Sequence, residues 1–199
     1  MSTTVKLKHT TKDPVRLSFP DVFEAVEYEK GDGKFRYNAT FLIVPGGNND
    51  KAVKAAIKAE LVEQFAKKAD EKEKQFAGNP NKNCYLSGDS KEYEGYQGMM
   101  TLTSHRKQKD GKPGVFDCTR AGPDGKPMPL VVSDGKPYAG CYVNATVDIY
   151  VQKDPNPGVR CGLKGVFFAA DGDAFSGAKA AAADDFDIEE GADSADDLA

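Results

Sequence analysis

From residue 34 to residue 43 the chain alternates, with Phe35, Tyr37, Ala39, Phe41 and Ile43 on one side and Lys34, Arg36, Asn38, Thr40 and Leu42 on the other. A period of two held over that length predicts a strand with one buried face, and the wider stretch 15–44 reads as strand. Gly46, Gly47, Asn48 and Asn49 interrupt it. Beyond them Val53, Ile57, Leu61, Phe65 and Ala69 recur every four residues, with Ala56, Val62 and Ala66 beside them, and predict one long amphipathic helix. Asn49 or Asp50 is its expected N-cap, and Gly78 and Pro80 mark its stop. The opposite face, with Lys54, Lys58, Lys67, Lys68, Glu71 and Lys72, is expected to be solvated.

A second strand-rich half follows Gly98. Its clearest strand covers 141–152, where Cys141, Val143, Ala145, Val147, Ile149 and Val151 alternate with Tyr142, Asn144, Thr146, Asp148, Tyr150 and Gln152. A closing strand is expected at 166–170, after Gly162-Leu163-Lys164-Gly165. Asp-Gly-Lys-Pro occurs at 110–113, 124–127 and 134–137. Asp and Gly tolerate the positive φ of tight turns, so these are read as turns. They lack the alternating oxygen ligands and distant Glu of a calcium loop. Many short strands, glycine-rich turns and one inserted helix, without a βαβ rhythm, predict a mainly β fold: a small, partly open barrel.

Charge changes this picture. The chain carries 27 basic and 31 acidic side chains, a formal net charge of −4. Eight of the acids lie in residues 184–199, which contain no Lys or Arg, so the remaining 183 residues hold 27 basic against 23 acidic groups, a body of +4. Residues 178–199 are alanine and carboxylate with Phe186, Ile188 and Leu198 as their large apolar groups, too few to offset the entropy of ordering. The expected organisation is a folded domain over 1–177 and a disordered acidic tail over 178–199. No block has the length of a signal peptide or a membrane span, so a soluble cytoplasmic protein is expected. Cys84, Cys118, Cys141 and Cys161 lack metal-knuckle spacing and are expected to be reduced, buried thiols.

His9 and His105 stand in no metal, nucleophile or phosphate-loop motif, so no catalytic site, metal or cofactor is expected. A metal-dependent nuclease using Asp117, Asp148 or Asp154 is the rival enzyme reading. A structural or partner-binding protein with a solubilising tail is another. The positive signal is basic and aromatic residues interleaved on strands, the composition of a groove for single-stranded nucleic acid: cations follow phosphates and rings stack on bases. The candidates are Lys34, Arg36, Phe35 and Tyr37 on the first strand, Tyr96, then His105, Arg106, Lys107 and Lys109, with Tyr142, Tyr150 and Lys164 beyond. Phe35 and Tyr37 share a face with Phe41 and Ile43, which favours the core for both. Tyr93 and Tyr96, beside Gly95 and Gly98, are expected to form a mobile flap or to pack.

Four segments carry a resemblance: Val15-Arg16-Leu17-Ser18-Phe19-Pro20, residues 41–45, Tyr138-Ala139-Gly140-Cys141-Tyr142-Val143-Asn144-Ala145 and Gly162-Leu163-Lys164-Gly165-Val166. With them and the acidic tail, the chain resembles the phage-encoded OB-fold single-stranded DNA-binding proteins over residues 14–190. The resemblance implies a five-stranded Greek-key barrel. It also implies a replication and recombination accessory protein that coats single strands without sequence preference, recruits partner proteins through its tail and sometimes dimerises. Related proteins often finish in an aromatic residue, whereas this chain ends Asp197-Leu198-Ala199. Asp184, Asp185, Phe186, Asp187, Ile188, Glu189 and Glu190 are therefore the expected partner-binding anchor.

Overall fold

The computed structural model describes residues 2–27, 31 and 33–175. The predicted tail, including the anchor Asp184 to Glu190, lies outside the described residues. In chain order the elements are β1 (Thr3–Leu7), β2 (Val15–Glu27), β3 (Phe35–Ile43), α1 (Asn48–Phe65), α2 (Ala69–Phe76), β4 (Tyr85–Ser87), β5 (Met100–Lys107), β6 (Gly114–Ala121), β7 (Pro127–Pro129), β8 (Tyr142–Gln152) and β9 (Gly158–Ala170).

Five of these strands close a ring. β2 pairs antiparallel with β3, β3 with β5, β5 parallel with β9, β9 antiparallel with β8, and β8 antiparallel with β2. This is the expected OB topology, with β1, β4, β6 and β7 added to it. Two seams are thin. β5 meets β9 at the single register pair His105 and Gly162. β2 meets β8 at Arg16 and Tyr142, helped by Leu17 N–H donating to Cys141 O at 3.0 Å and Gly140 N–H donating to Leu17 O at 2.8 Å. The barrel is partly open there. Its interior is filled by the predicted apolar faces, with Tyr37, Ala39, Phe41 and Ile43 of β3 against Val143, Ala145, Val147 and Ile149 of β8.

Two strands depart from the sequence pattern. β1 is hidden because it is short and only Val5 and Leu7 of its residues are large and apolar, with Lys6 between them and Lys8 after, yet both are buried and the strand pairs with β8 over five residues. β9 starts at Gly158, not residue 166, because glycines at 158, 162 and 165 blur its alternation.

The helix is divided. α1 buries Val53, Ala56, Ile57 and Leu61, packs against β1 and β8, and ends at Ala66, whose φ of 48° is unfavourable for a side-chain-bearing residue. A short 3₁₀ turn leads into α2, which turns Phe76 back into the core and against Phe65. That re-aiming leaves Val62 half exposed instead of buried. The expected N-cap is also different. Gly47 holds that position, and the carboxylate of Asp13 supplies the acceptor, taking the N–H of Asn49 at 2.9 Å. A Cβ on Gly47 would sit 2.3 Å from Asp13 Oδ1, so glycine is what lets the remote cap approach. Asn49 and Asp50 serve elsewhere: Asn49 bridges the backbone of Lys8, and Asp50 accepts the buried Tyr85 hydroxyl at 2.7 Å.

The cysteines are free, as expected, but not uniformly buried. Cys141 and Cys161 are interior and Cys84 is partly covered, whereas Cys118 is exposed on β6. Burial pushes the Cys84 thiol up to about 12 and Cys141 to about 11, so neither is a thiolate at neutral pH. No helix among the described residues is long and apolar enough to cross a membrane.

Candidate nucleic-acid interface

The polar faces of β3, β5, β9 and β8 meet on one side of the barrel because their register aligns them. Arg36 pairs with Lys107, Asn38 with His105, His105 with Gly162, Gly162 with Asp148, and Tyr150 with Arg160. This row crosses four strands, and two adjoining concavities lie along it. The first, about 440 Å³, is lined by Gly33, Lys34, Phe35, Arg36, His105, Lys107, Gln108 and Lys109. The second, about 240 Å³, is lined by residues that include His105, Arg106, Lys107, Asp148, Tyr150 and Lys164. His105 and Lys107 form the wall between them.

The electrostatics of this cleft are recorded by His105. Burial, then the charges of Arg36, Arg160 and Lys107, drive its pKa down to about 4, so the ring is neutral at pH 7 while cations surround it. Burial is the larger cause, and the three cations beside the ring, Arg36, Arg160 and Lys107, are what make the cleft a place of positive potential that suits an anion. Two acids enter the second concavity, and one of them, Asp148, is compensated: it accepts from Thr4 Oγ1 at 2.6 Å and lies 3.2 Å from Lys164 Nζ. Arg106 donates through Nε to Gly111 O at 2.8 Å and also reaches Asp110 O, bracing the turn after β5.

The structure thus places Lys34, Arg36, His105, Arg106, Lys107, Lys109, Tyr150 and Lys164 around one cleft. It does not place Tyr96 there. Tyr96 is 3% exposed and its hydroxyl bonds Ser18 Oγ at 3.2 Å; it packs the corner, while Tyr93 is the exposed ring, edge-on to both Phe19 and Tyr96. Tyr142 is on the correct face of β8 but at its far end, stacked on His9 with Arg16 over its ring. Phe35, a groove candidate for which the sequence favours the core, lines the first concavity, and Arg160, which the sequence pattern does not bring forward, pairs with Tyr150 and acts on His105 from beside the two linings. Phe35 continues the core pattern of β3, yet it stands at the strand's first position, beyond the core, and is 43% exposed in the first concavity. Arg160 was overlooked because β9 was begun too late.

The carboxylates of the nuclease reading are not assembled. Asp117 is buried against Thr119 and Arg120, with Asp117 Oδ2 2.9 Å from Arg120 Nε. Asp148 is tied to Thr4 and Lys164, and Asp154 lies in the exposed β8–β9 loop. Among the described residues, no group of three or more His, Cys, Asp or Glu side chains is arranged to hold a metal ion.

A five-stranded ring with a cationic cleft across its outer face defines an OB-fold protein of the polyanion-binding kind. Residues 5–199 match the family of the Enterobacter phage Enc34 ssDNA-binding protein, and the chain belongs to that family. Protein p50 of Acyrthosiphon pisum secondary endosymbiont phage 1 is 42% identical over 176 residues, covering 87% of this chain and 89% of that protein. The fold is similar to the single-stranded DNA-binding protein from bacteriophage Enc34 in complex with ssDNA. That match has a TM-score of 0.64 and 18% identity over 87% of this chain and 89% of that one. It is also similar to gp2.5, a single-stranded DNA-binding protein encoded by bacteriophage T7, with a TM-score of 0.54 and 13% identity over 98% and 100% of the two chains.

Proposed function

We propose that this chain is a sequence-independent single-stranded DNA-binding protein of phage replication and recombination, acting in the host cytoplasm without catalysis. The observation that carries this reading is the cleft shared by β3, β5, β8 and β9. Lys34, Arg36, Lys107, Lys109, Arg160 and Lys164 supply charge for phosphates, and Phe35 and Tyr150 supply rings for bases. Stacking contributes ~1–3 kcal/mol per base whatever the base, and phosphate neutralisation makes affinity fall with salt. Family membership supports the same ligand.

Residues 184–199 complete the reading as a tethered competitor for the cleft that also recruits partner proteins once DNA displaces it. Tethering gives a weak ligand a high effective concentration, and its charge makes the competition sensitive to salt. The test is a titration of labelled oligo-dT and of a duplex of equal length with the full chain and with a chain lacking 184–199. The full chain is expected to prefer the single strand. The shortened chain is expected to bind several-fold tighter at low salt, with the difference vanishing at high salt. Equal affinity for both oligonucleotides, or no binding to oligo-dT at low salt, overturns the proposed function. Identical salt curves for the two proteins overturn the competitor role alone.

A further inference from the structure

We propose that the binding track does not end at the cleft: the outer face of β6, β9, β8 and β1 forms a second stacking surface, over which a single strand leaving Lys164 continues across Phe167 and Phe116 toward His9 and Tyr142. The inference rests on the single-strand reading above and extends it to residues outside the cleft.

β9 makes the two surfaces continuous. Gly162 and Lys164 line the cleft; Lys164 is the extra residue of a bulge opposite Thr146 and Val147, and that shift puts Phe167, opposite Asn144, on the same outward side as Gly162, opposite Asp148. In the parallel pairing of β6 with β9, Gly114 faces Gly165 and Phe116 faces Phe167. The two rings stack, with centroids 5.2 Å apart and planes 20° from parallel. Each leans over a glycine. A Cβ on Gly114 would meet the Phe116 ring at 2.6 Å, and one on Gly165 would meet the Phe167 ring at 3.2 Å. The paired glycines therefore let two half-buried rings lie along the sheet surface. The next strand in the row contributes Asn144, opposite Phe167. Its Oδ1 accepts the His9 N–H at 2.8 Å, and the His9 ring stacks on Tyr142 at 4.6 Å and 25°. Two stacked aromatic pairs thus flank one asparagine on one face.

The charge of this face fits the same occupant. Lys6, opposite Thr146, and Lys8 just beyond β1 are both exposed. Asp148 is held by Lys164 and Thr4, Asp117 is buried on the other face, and Asp171 at the Tyr142 end is 3.5 Å from Lys136. Rings, lysines and compensated acids suit nucleic acid better than an acidic or purely apolar partner. Phe116 and Phe167 also shield glycine backbone, and that structural role alone would leave the dependence of binding on strand length unchanged.

The experiment compares full-length wild type with a Phe116→Leu/Phe167→Leu variant, which keeps an apolar cover and removes the π faces. Oligo-dT of about 6 and about 20 nucleotides brackets the ~4–16 nucleotides an OB fold occupies. Wild type is expected to gain affinity with length, whereas the variant keeps its affinity for the short strand and is about tenfold weaker on the long one. A second variant, Lys6→Gln/Lys8→Gln, leaves the packing untouched. It is expected to show the same length-selective loss, with the slope of log affinity against log salt smaller by about 1.4 on the long strand only. Length dependence identical to wild type in both variants overturns the inference while leaving the cleft intact. A wild-type protein that binds neither length overturns it together with the reading beneath it.

Discussion

Replacing Lys107 and Lys164 together by Glu is expected to weaken oligo-dT binding about 100-fold in low salt. Lys107 stands in the wall between the two concavities, and Lys164 faces Asp148 across 3.2 Å. Reversing Lys164 therefore does more than delete a phosphate contact. It leaves the Asp148 carboxylate unopposed in the cleft and adds a second one beside it. Because the term is electrostatic, the loss should shrink as salt rises, and the slope of log affinity against log salt should fall by about 1.4 for two lost contacts. Fluorescence anisotropy across a salt series reads both quantities. The same reversals at Lys67 and Lys68, exposed in the turn between α1 and α2, are expected to change affinity little. A comparable loss from that pair would mean that net charge, not the cleft, governs binding.

Acid is expected to destabilise the folded protein through His105, and bound DNA to relieve the effect. Above pH 6.5 the ring is neutral in both folded and unfolded chains, so it contributes no pH dependence. As pH falls from 6.5 to about 4 the unfolded chain takes up a proton that the folded one refuses, because burial and then Arg36, Arg160 and Lys107 oppose it. The unfolded state binds more protons in that window, so stability drops as pH falls, by on the order of 3 kcal/mol. A phosphate entering the cleft offsets the share of the shift that Arg36, Arg160 and Lys107 contribute, and leaves the share due to burial. Melting temperature measured against pH should therefore fall steeply for the free protein, less for the oligo-dT complex, and less for free His105→Gln. His9, also lowered by burial, keeps its own contribution in the variant. Parallel curves for free, bound and substituted protein would contradict the placement of His105 among cations.

These two expectations rest on features of unequal visibility in the sequence. β3 and β8 were legible because each buries one face and solvates the other, so the alternation of their side chains is the strand itself. β1 was not, since it is short and only Val5 and Leu7 of its residues are large and apolar. The division of the helix follows from tertiary packing: only the finished core shows why Phe76 must return and Ala66 must bend. In the site, cations were readable because a charged side chain on the polar face of a strand stays at the surface, whatever partner it finds there. Rings were not. Phe35 and Tyr37 share a strand face, and Tyr93 and Tyr96 share a loop, yet in each pair one ring is buried and the other exposed. What decides is the neighbour that covers them, and that neighbour comes from a distant part of the chain. The remote cap from Asp13 to Asn49 was invisible for the same reason.

The central claim is that unpaired strands lie in the cleft between β3, β5, β9 and β8. Its most direct test is amine-modification footprinting of the full-length protein, read by mass spectrometry with and without saturating oligo-dT. Lys107, Lys109 and Lys164 are expected to be protected by the oligonucleotide, while Lys67 and Lys68 react as in the free protein. Unchanged reactivity at the three cleft lysines in a demonstrably bound complex would contradict the account.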